Sequence, residues 1–299
     1  MRNFVERVSQ HHILYHILAI AVVSVWGVTF VSSKILLMSG ITPADIIFYR
    51  FLLAYVGICI ISRPLKLFAD TKRDELLCLL MGLFGGTLYF ITENIALKFT
   101  NVSNVALICG TTPLMTMLIQ YYVIKRTRPK NRMLVGSVVT LLGVAAVIFN
   151  SNFILKINPI GDFLCLLSAL SWTFYTLLSK HLSGRYSALF LVRKTFIYGI
   201  ITLAPTFIFS PLTTSAEVMA QSVVWGHLLF LGGVGSFLCF IIWNKCMRKV
   251  DTVILSNYIY LMPVVSIIAS TIILGESLNI IIITGAVLVI AGLYMAGKR

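Results

Sequence analysis

The sequence predicts an all-α integral membrane protein with ten transmembrane helices, arranged as two inverted five-helix repeats. Three observations carry this prediction. Of the 299 residues, 59% are hydrophobic and 11% charged, against roughly 45–50% and about 25% in soluble domains, and mean hydropathy is +0.95. About ten apolar runs approach the roughly 20 residues that cross a bilayer core about 30 Å thick. A set of residues from the first half also recurs, in order, in the second. The formal charge of +14 would suggest nucleic acid in a soluble protein, but too few polar residues exist to build a hydrated basic face, so no nucleic-acid partner is expected. Cys59, Cys78, Cys109, Cys165, Cys239 and Cys246 fall inside apolar runs without CxxC or metal-ligand spacing and read as small buried hydrophobes.

The spans are the apolar runs between charges and Pro, Gly or Asn. In order they are 14–37, 43–62, 75–97, 102–124, 132–150, 159–182, 188–209, 223–247, 252–274 and 278–296. The first is too long for a signal peptide and lacks a convincing small-residue cleavage site, so it reads as a retained helix. Connections of no more than 13 residues leave no room for a soluble domain.

Cytoplasmic loops retain Lys and Arg. With the N-terminus inside, 20 of the 24 cations fall on the inner side, Lys34, Lys98 and Lys156 fall outside, and Arg50 lies within the second span. This predicts a multi-pass inner-membrane protein with both termini cytoplasmic.

Trp26, Ser33 and Lys34 recur 146 residues later as Trp172, Ser179 and Lys180, and Arg50 recurs as Arg193 at an offset of 143. Gly85, Asn94 and Pro113 recur at 150 as Gly235, Asn244 and Pro263, and Gly136 and Gly143 at 149 as Gly285 and Gly292. A slowly drifting offset in matching order is what a duplicated five-helix unit with small loop changes would leave. The repeats are 1–150 and 151–299. Five is odd, so the second copy enters the membrane upside down. The cationic Lys125–Arg132 connection is therefore inside and its uncharged-by-cation counterpart Gly275–Asn279 outside. Inverted repeats are a transporter architecture, with the substrate site near the midplane between the halves.

The segments Ala21–Lys34, Pro43–Ala54 and Glu93–Ile108 with Pro113, together with Leu261–Met295 in the second half, resemble the EamA family of the drug/metabolite transporter superfamily over nearly the whole chain. The resemblance implies a ten-helix secondary carrier, commonly an exporter of amino acids, metabolites or drugs, whose cavity is bounded largely by helices other than the fifth and tenth. One departure is visible. The Gly-Glu typical of the family stands as Gly275-Glu276 in the second half, whereas Lys125-Arg126 stands in the first.

Several residues could carry the work. Trp26, Thr29 and Ser33 share one helical face at i, i+3 and i+7, and Trp172, Tyr175 and Ser179 repeat that face. The two stripes are either walls of a cavity on the pseudo-two-fold axis or helix–helix contacts. Glu93 is the one carboxylate clearly within a span, and is a proton-coupling or a structural and gating group. About one turn from the outer end, it could reach water or Lys98. Arg50, about two turns into its span, either binds an anion or Glu93, or snorkels to the outer interface. Lys34 and Lys180 read as charges complementing the ends of their own helices. Asn94 and Asn244 each need a partner in lipid, through an interhelical bond or a cavity contact. Thr111, Thr112, Asn257 and Tyr260 lie just before prolines and are further cavity candidates. Pro113 and Pro263 remove a backbone bond and are hinges or simple bends. The paired glycines allow close helix packing. His12 and His16 have i, i+4 spacing, but no carboxylate or cysteine accompanies them, so no metal and no cofactor are expected.

Together these features predict a secondary exporter of small metabolites such as amino acids or drugs, working by alternating access and open to proton coupling, with membrane lipid and a small-molecule substrate as partners and a homodimer left open. An uncoupled facilitator or a channel is the alternative. An intramembrane enzyme is disfavoured because no HExxH, GxGD or GxSxG run occurs, and no Walker A loop marks an ATP-driven pump.

Overall fold

The computed structural model describes residues 2–62, 66–125, 128–148, 158–209, 212, 214–275 and 280–297. The predicted repeat boundary at 150/151, the connection beyond Gly275 with Glu276, and Arg63, Arg126, Lys156, Lys298 and Arg299 lie outside the described residues, as do the side chains of His11 and His12.

Among the described residues the chain is helical, without strands. Eight helices contain a stretch long and apolar enough to cross a membrane. They are α1 (Arg2–Met38, with its apolar part Ile13–Met38), α2 (Pro43–Ile61), α3 (Lys72–Phe99), α4 (Val102–Ile124), α6 (Pro159–Leu182), α7 (Ala188–Ile208), α8 (Ser222–Lys249) and α9 (Thr252–Leu274). The other two predicted spans are α5 (Asn131–Ile148) and α10 (Ile280–Gly297). Their apolar stretches run only Asn131–Gly143 and Ile283–Gly292, short of the roughly 20 residues a bilayer core asks for.

Local chemistry sets several helix starts. Thr42, Thr71, Asn158 and Ser187 each accept a hydrogen bond from the backbone N–H three residues on, at 3.1–3.2 Å, and Pro43 and Pro159 follow two of these caps. At the end of α9, Gly275 takes φ 68°, a left-handed cap that favours glycine.

The packing repeats when the halves are exchanged. Helix α1 packs on α8 and α9, and α6 packs on α3 and α4; α2 meets the middle of α8, and α7 the middle of α3; α2 pairs with α7, and α5 with α10. Glycines permit the last pairing. A Cβ on Gly143 would lie 2.7 Å from the Gly285 carbonyl oxygen, and one on Gly292 would lie 2.5 Å from that of Gly136.

The lysine expectation needs correcting. Lys34 Nζ donates to Leu97 O at 2.5 Å and Lys180 Nζ to Met247 O at 2.6 Å. Each therefore neutralises the carbonyl end of a different helix, α3 or α8, because a lysine stem is long enough to reach past its own terminus.

Five helices depart from regular α geometry, α7 by a turn at 204–205 between Ala188–Leu203 and Thr206–Phe209. Helices α3 and α8 widen into π-helix at Leu83–Leu88 and Phe230–Leu238. Helix α4 breaks between Val102–Cys109 and Thr112–Leu118 and ends in π-helix at Ile119–Ile124, and α9 tightens into one 3₁₀ turn at Tyr258–Tyr260. Pro113 cannot donate to Cys109 O, and the Thr112 hydroxyl supplies that bond at 2.7 Å. The break in α4, the 3₁₀ turn of α9 and the wide turn of α8 adjoin the candidate site, at Cys109 and Thr112, Ile259 and Gly235 respectively.

Candidate functional site

The wide turn of α8 delivers two groups to the centre. The Gly235 carbonyl accepts the Trp26 indole N–H at 2.9 Å, and the Ser236 hydroxyl accepts Arg50 Nε at 2.5 Å. A Cβ on Gly235 would stand 2.8 Å from Thr29 Cγ2, so only glycine lets α1 approach here. Trp26 meets Trp172 edge-on with ring centroids 5.1 Å apart, and Phe240 lies 5.7 Å and 5.5 Å from the two indoles. The two predicted stripes therefore do converge.

Around this meeting point lies a cavity of about 20 Å³, room for a water or two. Its wall comprises Trp26 and Thr29 of α1, Arg50 of α2, Tyr89, Phe90 and Glu93 of α3, Cys109 and Thr112 of α4, Trp172 of α6, Phe240 of α8, and Ile259 and Met262 of α9. No described side chain of α5 or α10 contributes.

Both charges are inside. Arg50 is 1% exposed and Glu93 2%. The expectation that Arg50 snorkels is overturned, because Ser236 holds its Nε and its guanidinium carbon sits 4.1 Å from the Phe90 ring centroid. Glu93 likewise does not reach out to Lys98. It shares the inner face of α3 with Tyr89, one turn earlier, while Lys98 is exposed. The Arg50 charge and the Tyr89 hydroxyl act on the Glu93 carboxyl, but no direct ion pair joins Arg50 to Glu93. Two donors on the wall, Arg50 Nη1 and Trp172 Nε1, have no hydrogen-bond partner. The site thus offers a cation, a carboxyl, two indoles and free donors within a buried box of five aromatic side chains, Trp26, Tyr89, Phe90, Trp172 and Phe240.

Of the predicted residues, Trp26, Thr29, Arg50, Glu93, Thr112 and Trp172 line the cavity. Tyr175, Ser179 and Asn244 form a buried chain behind it: Ser179 Oγ donates to Asn244 Oδ1 at 2.6 Å, and Asn244 Nδ2 donates to the Tyr175 hydroxyl at 2.8 Å. Their counterparts Ser33 and Asn94 are buried too, but Ser33 Oγ and Asn94 Oδ1 are unpartnered, and Asn94 Nδ2 donates to its own helix at Phe90 O, 2.9 Å away. Thr111, Asn257 and Tyr260 are buried outside the wall, with Thr111 Oγ1 donating to Ile108 O at 2.7 Å. Pro113 and Pro263 sit at the irregular turns of α4 and α9, and the Pro263 ring lies 2.9 Å from where a Cβ on Gly110 would stand.

Tyr89, Phe90, Cys109, Phe240, Ile259 and Met262 complete the wall and were not among the expected site residues. A signal for most of them was present. Phe90/Phe240, Cys109/Ile259 and Thr112/Met262 each stand 150 apart, the offset that relates Asn94 to Asn244, but apolar matches in an apolar sequence carry little weight on their own.

Comparison with known proteins gives a consistent picture. The profile of the EamA-like transporter family matches residues 13–149 and again 159–297. An uncharacterized transporter of Archaeoglobus fulgidus is 25% identical over 291 residues, covering 95% of this chain and 97% of the relative. Proteins named probable amino-acid metabolite efflux pump in Salmonella typhimurium and Escherichia coli are 29% and 25% identical, each covering 93% of both chains. A solved crystal structure shares the fold with a TM-score of 0.73 at 15% identity, covering 94% of this chain and 97% of its own. A membrane-spanning helical chain matched over both halves by one family profile has its place: it belongs to the EamA-like transporter family.

Proposed function

We propose that the chain is an inner-membrane secondary transporter exporting small zwitterionic or amphipathic metabolites, amino acids and their derivatives among them. It works by alternating access between two inverted repeats, 1–150 and 151–299, with α5 and α10 completing ten spans and both termini cytoplasmic. One observation carries the reading. Eight of the twelve cavity residues form four repeat-related pairs, Trp26/Trp172, Phe90/Phe240, Cys109/Ile259 and Thr112/Met262. The remaining four, Thr29, Arg50, Tyr89 and Glu93, are all polar and all come from the first half. A wall built on four residue pairs drawn from two related halves opens to either side when the halves rock about it, and the polar set on one half gives a substrate a fixed orientation.

Arg50 would take a substrate carboxylate and Glu93 its ammonium, or a proton in its place, with the indoles against the side chain. The two relatives named as amino-acid metabolite efflux pumps support this substrate class. A cavity of about 20 Å³ admits no metabolite, so loading requires the halves to part, with the turns before Pro113 and Pro263 as hinges. The cavity is complete within one chain, so a homodimer would carry two.

Uptake of a labelled amino-acid and metabolite panel into proteoliposomes, with and without a pH gradient, tests the proposal. Saturable, gradient-driven flux is expected. Saturable flux indifferent to the gradient would make it a facilitator, non-saturating flux a channel, and no movement of any solute would overturn carriage.

A further inference from the structure

A second cavity, about 350 Å³ in volume, lies away from the centre where the end of α2 meets the start of α7. Its wall carries Ser62, Lys66, Arg185, Tyr186, Phe190 and Arg193. Two of the cations already have carboxylates: Lys66 pairs with Asp70 at 2.5 Å and Arg185 with Asp74 at 2.8 Å. The Tyr186 hydroxyl donates to Asp74 as well, at 2.9 Å. Nearby Lys194 is paired with Glu75. Arg193 has no such partner. It is 4% exposed, its guanidinium carbon lies 5.7 Å from the Phe190 centroid, and its Nη2 is buried without a hydrogen bond, as is Ser62 Oγ.

A buried guanidinium donor left unpaired is costly, and of Lys66, Arg185, Arg193 and Lys194 it is Arg193 that stands without a carboxylate. The amino end of the 16-residue opening segment of α7, Ala188–Leu203, adds its positive dipole, with its cap Ser187 on the cavity wall. Tyr186 and Phe190 stack at 4.8 Å beneath Lys66 and form the floor. Apolar side chains rise beside it: Ile60, Ile61, Leu67 and Phe68 are 51–70% exposed.

We infer that this cavity is a binding site for a phosphate group, with Arg193 and Ser62 as its inner donors and Lys66 and Arg185 at its mouth. The adjoining exposed apolar side chains favour a phosphate carried by an anionic phospholipid, whose acyl chains they would contact. A bound headgroup would tie residues of the first half, Ser62 and Lys66, to Arg185 and Arg193 of the second.

The test uses the purified full-length protein in detergent, with native mass spectrometry and thermal melting as readouts. Phosphatidylglycerol, phosphatidylcholine and inorganic phosphate are added separately. Saturable binding of phosphatidylglycerol with a raised melting temperature, and neither effect from phosphatidylcholine, is expected. Arg193→Gln should weaken that binding about tenfold. Because Arg193 is buried, the exposed pair Lys66→Gln/Arg185→Gln provides a second measure and should weaken it several-fold in a salt-dependent way. Protection by inorganic phosphate alone, lost in the same variants, would assign the site to a soluble phosphate. Equal effects of both lipids without any phosphate effect, or variants that bind as well as the parent, would overturn it.

Discussion

Arg50 and Glu93 are the two charges on the wall of the central cavity, and each makes a distinct prediction. Glu93→Gln keeps the shape and removes the titratable oxygen. It should abolish pH-gradient-driven uptake while leaving substrate exchange across the membrane intact; coupling that survives would remove Glu93 as the proton site. Arg50→Lys keeps the charge but loses the planar fork that now reaches Ser236 and lies on Phe90. We expect KM for carboxylate substrates to rise about tenfold, with less change for uncharged ones. A uniform change across substrates would point to a packing defect instead.

At the scale of elements, the α5–α10 contact and the lysine caps are open to measurement. Gly143→Val would force a side chain against the Gly285 carbonyl and should cost about 1–3 kcal/mol, seen as a lower melting temperature in detergent. Lys34→Met and Lys180→Met should each destabilise by up to about 2 kcal/mol, and by similar amounts, since the two lysines bond equivalent carbonyls at 2.5 and 2.6 Å. Strongly unequal losses would show that the two helix ends are not equivalent.

The whole molecule is read through its topology. Described contacts join residues expected near the same membrane side: Asp45 accepts from Thr214, Lys66 lies over the Tyr186 ring, and His16 meets Tyr258. A single cysteine introduced as Arg128→Cys, in a background whose native cysteines are removed, should be labelled from the cytoplasmic side only. Labelling by an impermeant reagent outside intact cells would invert the assignment.

The sequence by itself determined that this chain lives in a membrane, where most of its helices run, and that its two halves are related, because hydropathy, proline and glycine punctuation and loop charge are all local quantities. It also named Trp26 and Trp172 as neighbours of the centre, since a matched stripe on two related helices has one place to converge. Only the tertiary structure decided the partners. It turned Arg50 from a snorkelling candidate into a clamped wall residue, moved Lys34 and Lys180 onto other helices, and placed Asn244 with Tyr175 and Ser179 behind the cavity rather than in it. The reason is geometric: a helical period tells which residues share a face, but which face looks at which neighbour depends on contacts between α1, α3, α6 and α8 that lie far apart along the chain.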